Sequence, residues 1–287
     1  MDCPVFPFIA HRIWQRESFP VHVMHCRECH FMFYDIRPEG HEMAALYNDY
    51  RGETYCLQRE QFEPGYTRAN ECLKSNPILE GRRRDHLDEL LSKINWHASE
   101  DTLVLDHGGD DGRFFGVAFG VARKFVYEIS GVKPIPGVHA ISSDADLRRR
   151  KYDFVMNSNV LEHVSDPVAF VEDLRNLGQR DALFYFEIPS EYPRHAALRF
   201  ALRKQAGFLR KRTLVHKAMN RALLPIGMHE HINAFSMTAA CTLLDKGGFR
   251  VQYAEEHLLD AGGCKVKMLC LFARMNEAPS EGLQHAV

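Results

Sequence analysis

The 287-residue chain lacks an excess of charge of either sign: 36 Lys and Arg stand against 38 Asp and Glu, a formal net charge of −2. That balance argues against a whole-protein electrostatic grip on nucleic acid, so no nucleic-acid partner is expected. It also lacks any apolar run long enough to span a bilayer, and its start, Met-Asp-Cys-Pro-Val-Phe-Pro, has no basic stretch followed by an apolar one. A transmembrane helix and an export signal are therefore not expected, and the cytoplasm is the expected location. The eight cysteines lack the regular spacing of a disulfide framework and read as reduced thiols or metal ligands. Acidic residues are missing altogether between Glu191 and Glu230. What remains is an ordinary globular composition, 45% apolar and 26% charged, in a length that suits one large domain with an appendage or two modest ones.

Three regions follow in order. Residues 1–60 are rich in Cys, His and aromatics and read as a small N-terminal module. His25-Cys-Arg-Glu-Cys-His30 places Cys26 and Cys29 before a strand-like run. Such a knuckle either supplies half of a zinc site, with Cys3 or nearby histidines completing it, or closes a degenerate ribbon that folds without metal. Tyr47, Tyr50 and Tyr55 then either line a substrate entrance or pack a domain junction. In the linking segment, 61–100, Glu80 to Ile94 has the period of an amphipathic helix, with Leu87, Leu90, Leu91 and Ile94 on one face; Arg82, Arg83 and Arg84 at its start read as solvated.

From 101 to 275, strands and helices alternate. Strands are expected at Leu103–Asp106, Phe125–Tyr127, Val138–Ser142, Phe154–Asn157, Ala182–Ile188, Phe249–Ala254 and Val266–Ala273, the last two as an antiparallel hairpin. Helices are expected after Gly112, after Asp166 and from Ser236 to Asp245. The pattern predicts an α/β fold with a doubly wound, mostly parallel, seven-stranded Rossmann-like sheet. Within it, 191–230 is a basic amphipathic insertion carrying Arg194, Arg199, Arg203, Lys204, Arg210 and further cations. It reads as a lid over an anionic substrate, a surface for anionic lipid, an RNA patch or a solvated helical hairpin. Residues 276–287 read as a loose tail.

The chemistry concentrates at Asp106-His-Gly108-Gly109-Asp110-Asp111-Gly112. A strand breaking into glycines lets backbone N–H groups approach a ligand, and Glu128 follows twenty-two residues after Asp106, near the spacing of a ribose-binding acid. The turn lacks both the dinucleotide Gly-x-Gly-x-x-Gly and a following Lys-Ser/Thr. Its acids would crowd a pyrophosphate but tolerate a cationic sulfonium.

From about Asp85 to Ala273 the sequence resembles the class I S-adenosylmethionine-dependent methyltransferases. The resemblance implies S-adenosylmethionine at Asp106, Gly108, Gly109 and Gly112, with Glu128 on the ribose hydroxyls and Asp144 near the adenine. It places Asn157 in the fourth-strand segment Tyr152 to Pro167, where Leu161-Glu162-His163 opens the next helix. Asp110 stands where the family has its middle glycine. The Cys-x-x-Cys module and tyrosine-rich link further resemble a subgroup related to sugar C-methyltransferases. That likeness implies a small-molecule acceptor, a sugar or glycan precursor, with His231 as general base and Glu230 orienting it or binding a hydroxyl. His163 and Tyr55 are secondary candidates, and Glu230-His231 serving only to cap the Ser236 helix is the structural alternative. A lipid-linked or quinone-like acceptor at a membrane surface, and a cofactor-binding scaffold without catalysis, are the rival functions.

Overall fold

The computed structural model describes residues 2–68, 77–190, 228–261 and 264–276. The basic insertion, except for its last three residues, and the tail beyond Asn276 lie outside the described residues. Two sheets organise the rest. The first is a four-stranded antiparallel sheet in the order β1 (Asp2–Pro4), β2 (Pro20–His25), β3 (Met32–Tyr34), β9 (Asn233–Ala234). Its last strand comes from the far side of the insertion, and Met228 adds a further tie by exchanging backbone hydrogen bonds with Pro4 and Phe6. Helices α1 (Pro7–Trp14), α2 (Gly40–Tyr47) and α3 (Glu53–Phe62) close over it. The module's core, Val5, Phe8, Ile9, Val21, Leu46 and Tyr55, accordingly includes Met228 and Ile232.

The second sheet has seven strands in the order β10-β11-β8-β7-β4-β5-β6. β4 (Leu103–His107), β5 (Arg123–Tyr127), β6 (Val138–Ile141), β7 (Tyr152–Ser158) and β8 (Gly178–Pro189) are parallel. The hairpin β10 (Phe249–Ala261) and β11 (Cys264–Met275) joins antiparallel, with β11 between β8 and β10. Both faces are covered, and successive strand residues feed opposite cores: Leu105 and Val155 meet α6 (Pro167–Arg175) and α7 (Met237–Lys246), while Val104, Phe154 and Met156 meet α4 (Pro77–Lys93). Among the described residues no helix is long and apolar enough to cross a membrane.

The expected strands, the final hairpin and the helix caps at Asp166 and Ser236 are all present; Asp166 accepts from Val168 and Ala169, and Ser236 from Ala239. Three local expectations fail. No α-helix follows Gly112; only a 3-10 turn forms at Val117–Phe119, its first N–H groups capped by Asp88 of α4, because the chain must enter β5 at Arg123, four residues after Phe119. Leu161-Glu162-His163 is a turn rather than a helix start, since Asp166 and Pro167 begin α6 three residues later. And of the arginine run only Arg82 is solvated: Arg83 pairs with buried Glu187 of β8 and lies 3.9 Å over the Phe114 ring, while Arg84 reaches the Arg113 carbonyl.

Candidate active site

Strand order reverses beside β4, where β5 and β6 lie to one side and β7 and β8 to the other. Open α/β sheets place ligands in the crevice beyond the strand carboxyl ends at such a point. The chain leaves β4 through Gly108 at φ 77° and Gly112 at φ 78°. A Cβ on Gly108 would stand 2.5 Å from Val160, and one on Gly109 only 2.1–2.6 Å from the atoms of the Asp106 carboxylate. Asp110 takes the left-handed conformation at φ 55°, which aspartate tolerates better than most residues. Asp111 is turned aside by Arg113, which also pairs with Glu80 at 2.7 Å.

The crevice floor holds polar groups with unmet demands. Asp106 is fully buried, and among the described residues neither carboxylate oxygen has a hydrogen-bond partner. Burial, opposed by Arg83 and reinforced by Glu128 and Glu187, pushes its carboxyl up to about 8. Asn157, equally buried on neighbouring β7, donates from Nδ2 to the His107 carbonyl at 3.0 Å and leaves Oδ1 unmatched. His107 is held neutral by burial, at about 4. Glu128, just past β5, accepts from the Ser130 N–H at 2.9 Å and from the Asp110 N–H at 3.1 Å, one per oxygen. Two acceptor sites per carboxylate oxygen leave it able to take hydroxyl donors as well. The structure thus gathers Asp106, Glu128, Asn157 and the three glycines at the carboxyl ends of β4, β5 and β7. Asp144 stands beyond β6 on the short helix α5 (Asp144–Leu147), exposed and paired to Arg148 at 2.8 Å.

A second group faces the N-terminal module. The imidazole of His163 lies edge-on to Tyr47 (5.6 Å between centroids) and to His231 (4.6 Å). Its Nδ1 donates to the Glu230 carbonyl at 3.0 Å, which fixes the tautomer and leaves Nε2 with a lone pair, 3.7 Å from Glu162 Oε1. Burial, and then neighbouring His231, hold His163 down at about 3. Glu162, His163 and His231 each offer an atom within 4.8 Å of the others, a grouping able to pass a proton or hold a cation. The Tyr47 hydroxyl is buried and has no hydrogen-bond partner among the described residues.

Glu230 is engaged by the N-terminal module. Its carboxylate points into the module, where it accepts from Tyr55 and Arg59 and, at 3.4 Å, from Tyr50. Burial would raise this carboxyl, but Arg59, His229 and the Tyr55 hydroxyl outweigh it and hold it at about 2. Tyr55 and Arg59 share one face of α3 at i, i+4, so a single helix presents both to Glu230. Tyr55 is accordingly a junction residue, 0% exposed. Arg51 completes this wall at φ 57°, 4.9 Å over the Tyr50 ring, and its charge is felt at both Asp110 and His163. Arg51, Arg59, Arg83, His107, Glu162 and Glu187 were not among the sequence candidates. His107 and Glu162 lay inside motifs the sequence displays, and Arg59 left a signal in its spacing from Tyr55.

Among the described residues Cys3, Cys26 and Cys29 do not converge on one zinc site. Cys3 pairs in register with Val21, while Cys26 lies just past the opposite end of β2. Five residues of strand separate them, roughly 16 Å. Among the described residues no third ligand converges on Cys26 and Cys29. The knuckle is a backbone turn: Cys26 donates to Phe31 and His30 to Cys26, and the Ser236 hydroxyl donates to the Cys29 carbonyl, docking the module on α7.

Residues 78–254 match the family model described as a methyltransferase domain. No curated protein sequence matches the chain. Among solved structures, the 1,6-didemethyltoxoflavin-N1-methyltransferase of Burkholderia thailandensis, bound to S-adenosylhomocysteine, aligns over 90% of this chain and 99% of its own at 13% identity and a TM-score of 0.50. The magnesium protoporphyrin IX methyltransferase of Synechocystis aligns over 71% and 86% at 14% identity and a TM-score of 0.44. The family match spans α4 to β10 and takes in the whole crevice, so the chain belongs to the methyltransferase-domain family and is an S-adenosylmethionine-dependent methyltransferase of class I.

Proposed function

We propose that the chain methylates a small-molecule acceptor, a sugar or glycan precursor, with S-adenosylmethionine held at the glycine turn and His231 as general base. The observation that carries this reading is the set of buried, unmatched polar atoms at the strand switch point, Asp106 and Asn157, opposite a histidine pair at the module junction. The residues fit a cation: Glu128 supplies negative charge, buried Asp106 can ionise beside a bound cation, and no Lys or Arg stands in the turn until Arg113, which Asp111 and Glu80 occupy. In this reading Glu128 takes the ribose hydroxyls, Asp144 lies toward the adenine, and Gly108, Gly109 and Gly112 allow close approach of backbone N–H groups. S-adenosylmethionine supplies a methyl group already activated for transfer. The protein's part is to align the acceptor and take its proton.

His163 is locked by the Glu230 carbonyl and kept neutral, so it orients His231 and can relay a proton toward Glu162. Tyr47 offers a hydroxyl to the acceptor, and Arg51 supplies a cation suited to an anionic group on it. We read residues 1–60, with 228–234 returning to their sheet, as the acceptor-side wall of a methyltransferase domain spanning 101–275, and 191–230 as its lid. The kinship with sugar C-methyltransferases, resting on this module, belongs to the same proposal. Calorimetry with S-adenosylmethionine on wild type, Asp106→Ala and Glu128→Ala tests the cofactor site; unchanged affinity in both variants rejects it. On an identified acceptor, turnover surviving His231→Ala removes that residue as the base. Sedimentation with anionic vesicles at physiological salt separates a free acceptor, for which no binding is expected, from one at a membrane surface.

A further inference from the structure

The cysteine knuckle gathers no third metal ligand among the described residues, yet it brings two thiols together. Residues 26–31 form one tight turn. The His30 N–H donates to the Cys26 carbonyl at 3.0 Å, the Cys26 N–H donates to the Phe31 carbonyl at 2.8 Å, and His30 closes the turn at φ 62°. Cys26 opens the turn. Its sulfur accepts from the backbone N–H groups of Cys29 and Glu28 and lies in hydrogen-bond contact with the Cys29 thiol. The two cysteines differ in setting: Cys29 packs with Phe31 against the core of the large sheet, whereas Cys26 stands outside that core at the mouth of the turn. Of the other described thiols, Cys3, Cys56 and Cys270 are buried, and burial pushes that of Cys241 up.

We propose that Cys26 and Cys29 are a redox-modification site, a dithiol that a low-molecular-weight disulfide converts reversibly to an intramolecular disulfide, with Cys26 attacking and Cys29 resolving. The thiolate is the nucleophile in such exchange. The Cys29 N–H, then the Glu28 N–H and the Cys29 thiol, hold the Cys26 thiol below its ordinary value. The Cys26 thiolate attacks one sulfur of the small disulfide; that S–S bond breaks, and one small thiolate leaves with the electron pair and takes up the proton Cys26 gave to solvent. Cys29 then gives its proton to solvent and attacks the Cys26 sulfur of the mixed disulfide, expelling the second small thiol. The protein loses two electrons and two protons, which the small disulfide gains as two thiols. Residues three apart on one helical turn hold their Cβ atoms about 5–6 Å apart, and a disulfide brings them to about 3.8 Å. Closing the bond therefore draws the turn in where the module docks, since the Ser236 hydroxyl donates to the Cys29 carbonyl at 2.9 Å and the Phe31 ring lies 4.9 Å from that of Phe235. The site does not depend on the proposed acceptor chemistry.

The test uses the full chain, reduced and then equilibrated with mixtures of reduced and oxidised glutathione, quenched in acid, alkylated and mapped by peptide mass spectrometry. A disulfide between Cys26 and Cys29 is expected to rise with the oxidised fraction and to reverse when reduced glutathione is restored. Cys29→Ser, checked for folding by circular dichroism, is expected to stop at a glutathione adduct on Cys26. Cys26→Ser is expected to form an adduct on Cys29 at least tenfold more slowly. In the reduced wild type, iodoacetamide is expected to alkylate Cys26 at least tenfold faster than Cys241. Absence of the disulfide at the most oxidising mixture, equal adduct rates in the two single variants, or alkylation of Cys26 no faster than of Cys241 would each overturn the site.

Discussion

The buried Asp106 carboxyl makes cofactor affinity depend on pH in a direction the structure fixes. With no cofactor bound, burial lifts it to about 8, so at neutral pH it is mostly protonated. A cationic ligand in the crevice favours the ionised form, and binding therefore releases a proton. At pH 7 the cost of removing that proton is one unit below the carboxyl's own value, about 1.4 kcal/mol or tenfold in affinity. Affinity for S-adenosylmethionine should consequently rise about tenfold from pH 6 to pH 7, about fivefold from pH 7 to pH 8, and then level off. Titration calorimetry in two buffers of different ionisation enthalpy reads the affinity and the proton release together. The cofactor's own ammonium titrates in the same window, so the informative quantity is the difference between wild type and Asp106→Asn. The variant keeps the shape but carries no proton to release, and its profile should be flatter by the tenfold step. Parallel profiles in the two proteins, or proton uptake in wild type, would refute the assignment of Asp106 beneath the cofactor.

Three further outcomes follow from the same groups. Asp106→Asn should also stabilise the cofactor-free protein. A carboxyl raised by folding binds more protons in the native state than in the unfolded state, so wild-type stability falls as pH rises from about 4 to about 8. The melting-temperature gain should be larger at pH 8 than at pH 5, and an equal gain would contradict the raised carboxyl. Glu230→Gln should destabilise by about 1.5–3 kcal/mol, because buried Arg59 loses one of its two carboxylate partners and keeps only Glu63. Since the native carboxyl sits at about 2, this wild-type advantage is present above the ordinary carboxylate value and shrinks as pH falls through it; denaturant midpoints at pH 7 and pH 3 check both the size and the trend. Gly109→Ala forces a methyl group onto the Asp106 carboxylate and should abolish cofactor binding while the far-ultraviolet spectrum is retained; measurable affinity would show that the turn has more slack than its geometry allows.

The parts of this molecule legible in the sequence are those whose cause is local. Alternating apolar runs gave the strands, Asp166-Pro167 and Ser236 capped their helices through their own nearest N–H groups, and the glycine turn carried its conformation in Gly108 and Gly112. Asp106, Glu128 and Asn157 were readable because each follows or ends a strand, and parallel strands deliver their carboxyl ends to one edge. What failed had a distant cause. The helix expected after Gly112 is cut to a single turn by the pairing of β5 with β4, which begins at Arg123 and leaves the segment no length for more. Arg83 looked solvated because its partner, Glu187, is 104 residues away on a strand whose pattern reads as apolar.

Glu230 shows the same limit at the candidate site itself. Beside His231 in sequence, it reads as that residue's helper. In space, however, Arg59 and Tyr55 lie 171 and 175 residues away and draw its carboxylate into the module. Its backbone carbonyl turns the other way, where it accepts from His163 Nδ1. One residue thus ties the two halves of the protein together: its side chain anchors the module's aromatic wall and its main chain sets the tautomer of a histidine beside the proposed base. Losing the Glu230 side chain should therefore disturb stability first and chemistry only through the displacement of His163, an order of effects that its position next to His231 in the sequence would have reversed.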